Sequence, residues 1–412
     1  MKTYLLCFAL LLLPTHTALA QRALTWQDLK EKFEASNPTL RAGQLNVDES
    51  RAQEITAFLR PNPDLSITAD QFNYYPQLRP LAGADQIGSI SYLIERGNKR
   101  ALRKEVATKG TQIAVSQQED LERNLLFTLR NAFVSLLQAK AVLQNAKENL
   151  AYYDHELQIN RDRLKAGDIA PVDEDRLELQ RAQFESDLET ADVNLRTAKI
   201  QLLMLLNERT PVDSFDVAGP FEFTETLPSL EELRASALQT RPDLRAAMET
   251  VDQAKSSHRL AIANGTSDPI VSFDAGRNPP LNGYVGFGVT FPLRIFDKNQ
   301  GEKLRTDIEV TRSQRLVDAA RAQVFSDVDS AFTNLRSTVN LLRPYKSKYL
   351  TTAARVRDTV SFAYERGAAT LLDFLDAQKS YRDTRLAYLN LIGSYLTAQS
   401  QLNLAIGREV LP

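Results

Sequence analysis

A long stretch in the first half of the chain has a leucine at every seventh position. These leucines are Leu129, Leu136, Leu143, Leu150, Leu157 and Leu164. Ala132 and Ala139 follow three residues after two of them and complete an apolar seam with the spacing of a coiled coil. Because no Pro or Gly interrupts 111–166, the pattern predicts one helix of about 55 residues or more, roughly 80 Å long.

The second half of the chain repeats this spacing and then, like the first half, breaks at a glycine. The repeated positions are Val328, Leu335, Leu342, Tyr349, Val356 and Ala363. Gly167 and Gly367 can cap the two helices, and Pro171 can begin the next one. We therefore predict turns at about 165–171 and 365–370. The chain then returns, which gives an antiparallel helical hairpin in each half.

Alternating apolar and polar residues predict two strands ahead of each long helix. The predicted strands cover about 64–73, 86–95, 269–277 and 284–293. A shorter helix, 36–60 in the first half, precedes them. Runs of this length approach the roughly 9–11 residues of a tilted membrane-spanning strand. Four strands cannot close a barrel by themselves, and open edges are not tolerated in lipid. If the strands span a membrane, several protomers must therefore contribute strands to one closed barrel. The alternative is a soluble strand pair packed on the coiled coil.

The two halves are also related in sequence, which indicates an internal duplication. Leu29, Pro38 and Leu40 have the same order and spacing as Leu233, Pro242 and Leu244. Asp173 and Asp373 follow the two glycine turns at the same distance. Each half therefore contains a helix, two strands and a long hairpin. The predicted divisions are a leader at 1–20, a first repeat at 21–207, a linker at 208–228 and a second repeat at 229–412.

The first residues have the features of an export signal. Lys2 precedes an apolar run at 5–13, and the small residues at 18–20 form a cleavage pattern. We expect residues 1–20 to be a removable signal peptide. An N-terminal membrane anchor is the alternative, but the apolar run is too short to span a bilayer. Cys7 lies inside the run with no cleavage pattern before it, so a lipid-anchored cysteine is not expected.

Composition excludes several classes of function. The 412 residues have a formal net charge of −2, so no basic field for nucleic acid is expected. One Cys and three His exclude a disulfide framework and a Cys/His zinc site. We find none of the common catalytic motifs, and we read the isolated His155 and His258 as surface or packing residues. The sequence therefore predicts neither an enzyme nor a bound cofactor.

Two acidic residues follow the second turn. Asp373 and Asp376 are three residues apart, which places both carboxylates on one face of the predicted helix. The ordinary explanation is that acids favour a helix N-terminus because of its dipole. The acidic run 173–175 on the first hairpin is read in this ordinary way, as a solvated helix start.

Across 21–412, the repeat architecture and the glycine turns resemble the TolC family of outer-membrane efflux ducts. The segment 91–100, S-Y-L-I-E-R-G-N-K-R, is similar to the family's passage from the second strand into the first long helix. The segment 289–301, V-T-F-P-L-R-I-F-D-K-N-Q-G, is similar to its second-half counterpart. The amino-acid sequence of that second segment most resembles those of the branch associated with heavy-metal resistance pumps of the cobalt–zinc–cadmium type.

The resemblance implies a homotrimer in the outer membrane with a periplasmic tunnel. Three protomers would pool four strands each into a twelve-stranded β-barrel, and their hairpins would form an α-helical tunnel. The linker at 208–228 would belong to a belt around the middle of the tunnel. The implied partners are outer-membrane lipid, a periplasmic adaptor (membrane fusion) protein and an inner-membrane RND-type pump that supplies the energy. A non-transporting secreted or surface coiled-coil protein is the alternative.

The resemblance also implies roles for residues at the two turns. Asp373, Asp376 and Tyr364 match positions that form the family's periplasmic gate, where rings of carboxylates would select cations. The family's better-known gate has an Arg two residues after the turn glycine, and this chain has Ala369 there. The turns are candidate docking points for the adaptor. The implied docking residues are Gly167, Asp168, Gly367 and Ala368.

Overall fold

The computed structural model describes residues 23–71, 84–225, 227–278 and 281–411. These residues form mainly long helices and one small sheet. The helices are α1 (Trp26–Ser36), α2 (Pro38–Phe58), α3 (Lys99–Ala166), α4 (Pro171–Leu205), α5 (Leu230–Thr240), α6 (Pro242–Asn264), α7 (Gln300–Pro344), α8 (Leu350–Glu365) and α9 (Leu371–Ile406). The strands are β1 (Asp64–Asp70), β2 (Asp85–Leu93), β3 (Ile270–Asn278) and β4 (Leu281–Thr290). The mainly helical fold with a small β part is confirmed. The predicted leader at 1–20 lies outside the described residues.

The chain divides into two compact units, and α3 runs from one into the other. The first unit comprises the described parts of 1–35 together with 135–221. The second unit comprises 36–134 and 222–412, and it contains the whole sheet.

The first unit is a helical hairpin with an apolar seam. Leu143, Ala146 and Ala191 form a buried cluster between α3 and α4. Nearer the turn, the ring of Tyr153 lies 4.7 Å from that of Phe184, centroid to centroid. The Tyr153 hydroxyl donates a hydrogen bond to the Leu177 carbonyl at 3.1 Å, so the buried phenol is satisfied. These contacts follow the seven-residue seam of the sequence.

The first unit also includes part of the linker. Lys140 on α3 donates to the Asp216 carboxylate at 2.8 Å and to the Val217 carbonyl at 2.8 Å. Val217 pairs with Leu24 in an isolated parallel bridge. Lys140 therefore ties the linker to the hairpin, and the backbone pairing joins the linker to the segment before α1.

The second unit contains an antiparallel sheet in the order β1-β2-β3-β4, with β1 and β4 at its edges. The strand ends differ from the predicted ones by a few residues. β4 ends at Thr290 rather than near 293, because Pro292 has no N–H to extend the ladder. β1 ends at Asp70, whereas residues 72 and 73 of the predicted strand lie outside the described residues.

Two predicted helices differ from the observed ones, one in where it starts and the other in its continuity. The predicted helix 36–60 begins at Pro38, because the Asn37 side chain accepts hydrogen bonds from Thr39 N and Leu40 N and so starts α2. The long helix of the second half is split by a π-turn at Tyr345–Tyr349. Pro344 lacks an N–H and disturbs the regular hydrogen bonding, so the seven-residue pattern alone gave the wrong continuity there.

Three residues of the linker, Phe223, Thr224 and Glu225, contact the π-turn, α9 and the end of α7, respectively. Lys346 donates to the Phe223 carbonyl at 3.2 Å, and Arg343 pairs with Glu225. On α9, the Tyr395 hydroxyl donates to the Thr224 carbonyl at 2.5 Å. The linker thus ties α7 and α9 together where α7 ends. None of the helices in the described part of the chain is long and apolar enough to cross a membrane.

Candidate functional site

The sheet has one apolar face. The strand register places Leu65, Ile90, Phe273 and Phe287 in a single row across all four strands. The next row on this face contains Ile67 and Val285 at the two edges. These side chains are uncovered in the single chain: Ile67 is 82% exposed and Phe287 is 74% exposed. A contiguous apolar face of this kind marks an interaction with lipid or with another protein.

The opposite face of the sheet is small and polar in its two middle rows. One row across it contains Ser66, Ser89, Asp274 and Gly286, and the adjacent row contains Asp64, Ser91, Ser272 and Gly288. Apolar residues on one face and polar residues on the other, alternating along each strand, are typical of strands that separate lipid from water. The strands have 7 to 10 residues, close to the length that a tilted spanning strand requires.

The second hairpin turn, between α8 and α9, is closed by a glycine in the left-handed region. Gly367 has φ +73°, and no atom lies within 4 Å of the position that a Cβ would occupy. Gly367 N donates to the Tyr364 carbonyl at 3.0 Å, and Ala368 N donates to the Ala363 carbonyl at 2.8 Å. These are the two bonds of a Schellman motif, which satisfies the last carbonyls of α8. Gly367 and Ala368 are exposed at the tip.

Asp373 takes part in a capping box at the start of α9. Its carboxylate accepts hydrogen bonds from the Thr370 hydroxyl at 2.6 Å and from Thr370 N at 3.0 Å, while Asp373 N donates to the Thr370 hydroxyl. The hydroxyl and then the N–H of Thr370 hold the pKa of Asp373 below its usual value. Asp376 lies one turn further along and is also exposed. The two carboxylates therefore share one side of α9, as their spacing predicts.

Tyr364 lies in a different environment from the two aspartates. It is only 5% exposed, and its ring stacks on that of Phe374 with centroids 5.0 Å apart. One step further along the hairpin, Gln378 donates to the Ser361 hydroxyl at 3.2 Å, and both are buried. The structure thus places Tyr364 in the seam of the hairpin and the aspartates on its surface.

The position of the missing arginine is occupied by Ala369, and other arginines lie nearby. Arg366 immediately precedes the turn glycine, and its guanidinium lies 3.9 Å from the ring centroid of Phe362. Arg357 on α8 lies 4.0 Å from the ring centroid of Tyr381 on α9 and also pairs with Asp358. Aromatic rings thus position both arginines, Phe362 from α8 and Tyr381 from α9.

The first hairpin turn has the same backbone. Gly167 has φ +86°; Gly167 N donates to the Leu164 carbonyl and Asp168 N to the Arg163 carbonyl, both at 2.9 Å. In the acidic run that follows, Glu174 lies 3.5 Å from Arg161. Within the described residues no group of three or more His, Cys, Asp or Glu could hold a metal ion.

Sequence reasoning missed several residues that shape these regions. Thr370 was overlooked although Thr followed three residues later by Asp is a capping-box signature. Phe374 was overlooked because a single aromatic residue in a helix has no distinctive pattern. The contacts of Phe223 with the π-turn had no signal in the sequence beyond Pro344 itself, since they join segments more than 100 residues apart.

A family model, two known relatives and a solved structure are similar to this chain over most of its length. The family model described as "Outer membrane efflux protein" matches residues 29–208 and 233–408. The chain is 24% identical over 374 residues to the cobalt-zinc-cadmium resistance protein CzcC of Cupriavidus metallidurans, covering 90% of this chain and 87% of CzcC. It is 25% identical over 404 residues to the outer membrane protein TolC of Escherichia coli, covering 90% of this chain and 80% of TolC. A crystal structure of CusC superposes with a TM-score of 0.77 and 18% identity, covering 93% and 92% of the two chains.

Proposed function

The chain belongs to the outer membrane efflux protein family, and from this premise we propose that it is the homotrimeric exit duct of a tripartite efflux system. The single observation that supports this most strongly is the sheet. It has two unpaired edges, an exposed apolar face and a polar face. Three copies joined edge to edge would leave no open edge, with the apolar face toward outer-membrane lipid and the polar face toward the conducted solution.

The helices support the tunnel part of this function. α3 has 68 residues, which corresponds to about 100 Å at 1.5 Å per residue. A helix of that length suits a passage that extends from the membrane through the periplasm. Export by a signal peptide at 1–20 would deliver the chain there. The duct itself is passive, and an inner-membrane RND-type pump, joined through a periplasmic adaptor, supplies the energy.

The turns are the proposed periplasmic end of the duct. Gly167, Asp168, Gly367 and Ala368 are exposed tip residues suited to docking an adaptor. Asp373 and Asp376 are proposed as the gate, since three copies of each would surround a common axis with carboxylates that attract cations. Tyr364, which is buried against Phe374, would act by holding the turn rather than by facing the passage.

The proposed cargo is heavy-metal cations. The support is the similarity along nearly the whole chain to CzcC, a protein named for cobalt, zinc and cadmium resistance. A strain that lacks this gene should be sensitive to metal salts and regain resistance when the gene is restored. Sensitivity to dyes, detergents or antibiotics alone would keep the duct and overturn the metal cargo. Recovery of the protein outside the outer-membrane fraction would favour the non-transporting coiled-coil alternative.

The gate has its own test in planar bilayers. The double variant Asp373→Ala and Asp376→Ala should raise single-channel conductance and weaken the block by divalent cations, because the carboxylates at the constriction are removed. A matched control changes Asp173 and Asp175 of the first hairpin to Ala, and it should leave the block unchanged. Equal conductance and block in the Asp373/Asp376 variant and the parent protein would exclude the gate assignment without affecting the fold.

A further inference from the structure

One connection between sheet and helix is fixed inside the chain by a buried ion pair. The connection from β2 to α3 (94–98) packs against the connection from α6 to β3 (265–269). Lys99 Nζ donates to the Asp268 carboxylate at 2.5 Å, and Arg96 N donates to the same carboxylate at 2.8 Å. Lys99 is only 4% exposed. Burial alone would raise the pKa of Asp268, but its hydrogen bonds to Lys99 and Arg96 lower it overall.

The chain has a second set of the same two connections. The connection from β4 to α7 (291–299) matches that from β2 to α3. Asn98 and Asn299 each directly precede a helix, with φ of +60° and +62°, and an isoleucine stands four residues before each. The connection from α2 to β1 (59–63) likewise matches that from α6 to β3, since each ends in a polar residue and a proline. In this alignment Gln300 corresponds to Lys99, and Asn62 corresponds to Asp268.

These second connections cannot meet within one chain. β1 and β4 form opposite edges of the sheet. The register places Asp64, Ser91, Ser272 and Gly288 in one row, so the start of β1 and the end of β4 lie at the same end of the sheet. Asn62 and Gln300 are both exposed, and Phe296 in the β4–α7 connection is 89% exposed. The Lys99 and Asp268 side chains are thus shielded from solvent in the first pair of connections, whereas Gln300 and Asn62 at the matching positions are exposed.

We propose that the β4–α7 connection of one copy binds the α2–β1 connection of the next copy, with Gln300 and Asn62 in the places of Lys99 and Asp268. This proposal rests on the proposed ring of three chains, in which β4 of one copy lies beside β1 of the next. A cyclic assembly brings two different surfaces of the same chain together in this way. Phe296 and Leu59, which is 59% exposed, supply apolar surface beside the polar contact.

The side-chain chemistry of the second pair is complementary. The Asn62 carbonyl oxygen would accept from Asp297 N, the counterpart of Arg96 N, and from the Gln300 amide. In the single chain Gln300 Nε2 already donates to the Phe296 carbonyl at 3.2 Å, and its second hydrogen is available for a partner. A neutral amide pair also avoids the cost of desolvating two charges when separate copies associate.

An exchange of charges tests the pairing. Asn62→Asp alone and Gln300→Lys alone should each weaken trimer association about tenfold or more, since each leaves one charge at the interface without its partner. The double variant recreates the internal Lys–Asp pair between copies and should restore association to near the parent level. The readout is the fraction of trimer that survives dilution or heating in detergent. Additive losses in the double variant, or parent-like single variants, would overturn the proposal.

Cross-linking gives an independent check. The only cysteine in the sequence is Cys7, and it lies ahead of 21–412. The pair Asn62→Cys and Gln300→Cys should therefore produce covalent trimers with a short bifunctional thiol-reactive cross-linker, which spans the reach of the side chains it replaces, while Lys99→Cys with Asp268→Cys should link only within each chain. A mass of three chains by light scattering without the Asn62–Gln300 cross-link would refute this contact and leave the duct intact. A monomer in the same measurement would refute the proposed function itself.

Discussion

The two hairpin turns share a backbone but differ in how the returning helix is fixed. Gly167 and Gly367 both adopt positive φ, and each turn forms the same pair of backbone hydrogen bonds. After the first turn, α4 starts at Pro171 with Ala170 as its cap and no side-chain hydrogen bond. After the second turn, α9 starts with the Thr370–Asp373 capping box.

The second turn also has aromatic packing beside it, which the first turn lacks among the aromatic pairs described. In the second hairpin Tyr364 and Phe374 stack directly beside the turn. In the first hairpin the comparable pair, Tyr153 and Phe184, lies more than ten residues from Gly167 on either side. A glycine is therefore sufficient to make the turn, whereas the cap and the aromatic stack additionally fix the side chains around it. That additional order is suited to a constriction, where carboxylates must be held in defined positions.

Among variants that test the difference between the two turns, Phe374→Ala should have the largest effect on stability. Removal of a fully buried aromatic side chain costs about 3–5 kcal/mol of unfolding free energy, and here the loss falls directly on the turn. Amide hydrogen exchange at 366–373 should become much faster. The matched variant Phe184→Ala, in the first hairpin, should lose similar stability while leaving exchange at the second turn unchanged. Equal exchange at 366–373 in both variants would show that Phe374 does not fix the turn.

Substitution of the turn glycines should have a smaller and equal effect in both hairpins. Nothing lies within 4 Å of an added Cβ at Gly167 or Gly367, so alanine there adds only backbone strain, about 1–2 kcal/mol. Asparagine tolerates the left-handed region and should cost less than alanine at each position. Denaturant unfolding of the four variants measures this. A much larger loss of unfolding free energy at Gly367 would mean that the added side chain disrupts contacts in the second turn.

The smallest effects should come from exchanging the caps. Thr370→Ala removes the capping hydroxyl and should cost about 1 kcal/mol. Ala170→Thr in the first hairpin should instead stabilise, by up to a similar amount, because Asp173 already stands three residues later. Thermal unfolding of the two variants compares them directly. Loss of stability in the Ala170→Thr variant would show that the first turn cannot adopt the cap geometry of the second.

The cap also has a pH signature. Because hydrogen bonds from Thr370 lower the pKa of Asp373 in the folded state, this carboxylate contributes stability above its unfolded pKa of about 4. The contribution is lost as the pH falls below that value through the lower folded pKa. The Thr370→Ala variant should therefore differ from the parent at neutral pH and approach it in acid.

Local patterns in the sequence predicted most elements of this protein and their order. The seven-residue seam predicted the long helix and Gly167 predicted its end, and α3 does end at Ala166, since both signals need only local geometry to be read. Gly167 and Gly367 marked the turns because left-handed backbone is a local property of glycine. The alternation in β4 placed Val285, Phe287 and Val289 on one face for the same reason.

Only the tertiary structure decided how these elements are held together. The π-turn after Pro344 is joined by a hydrogen bond from Lys346 to Phe223 of the linker, more than 100 residues away. The Tyr364 side chain packs against Phe374 across the hairpin, and its position beside the turn in the sequence did not indicate this orientation. The sheet order likewise decides that Lys99 meets Asp268 within the chain while Gln300 and Asn62 lie at opposite edges. Local patterns define segments, but contacts between distant segments depend on burial and hydrogen bonding, which a pattern along the chain does not contain.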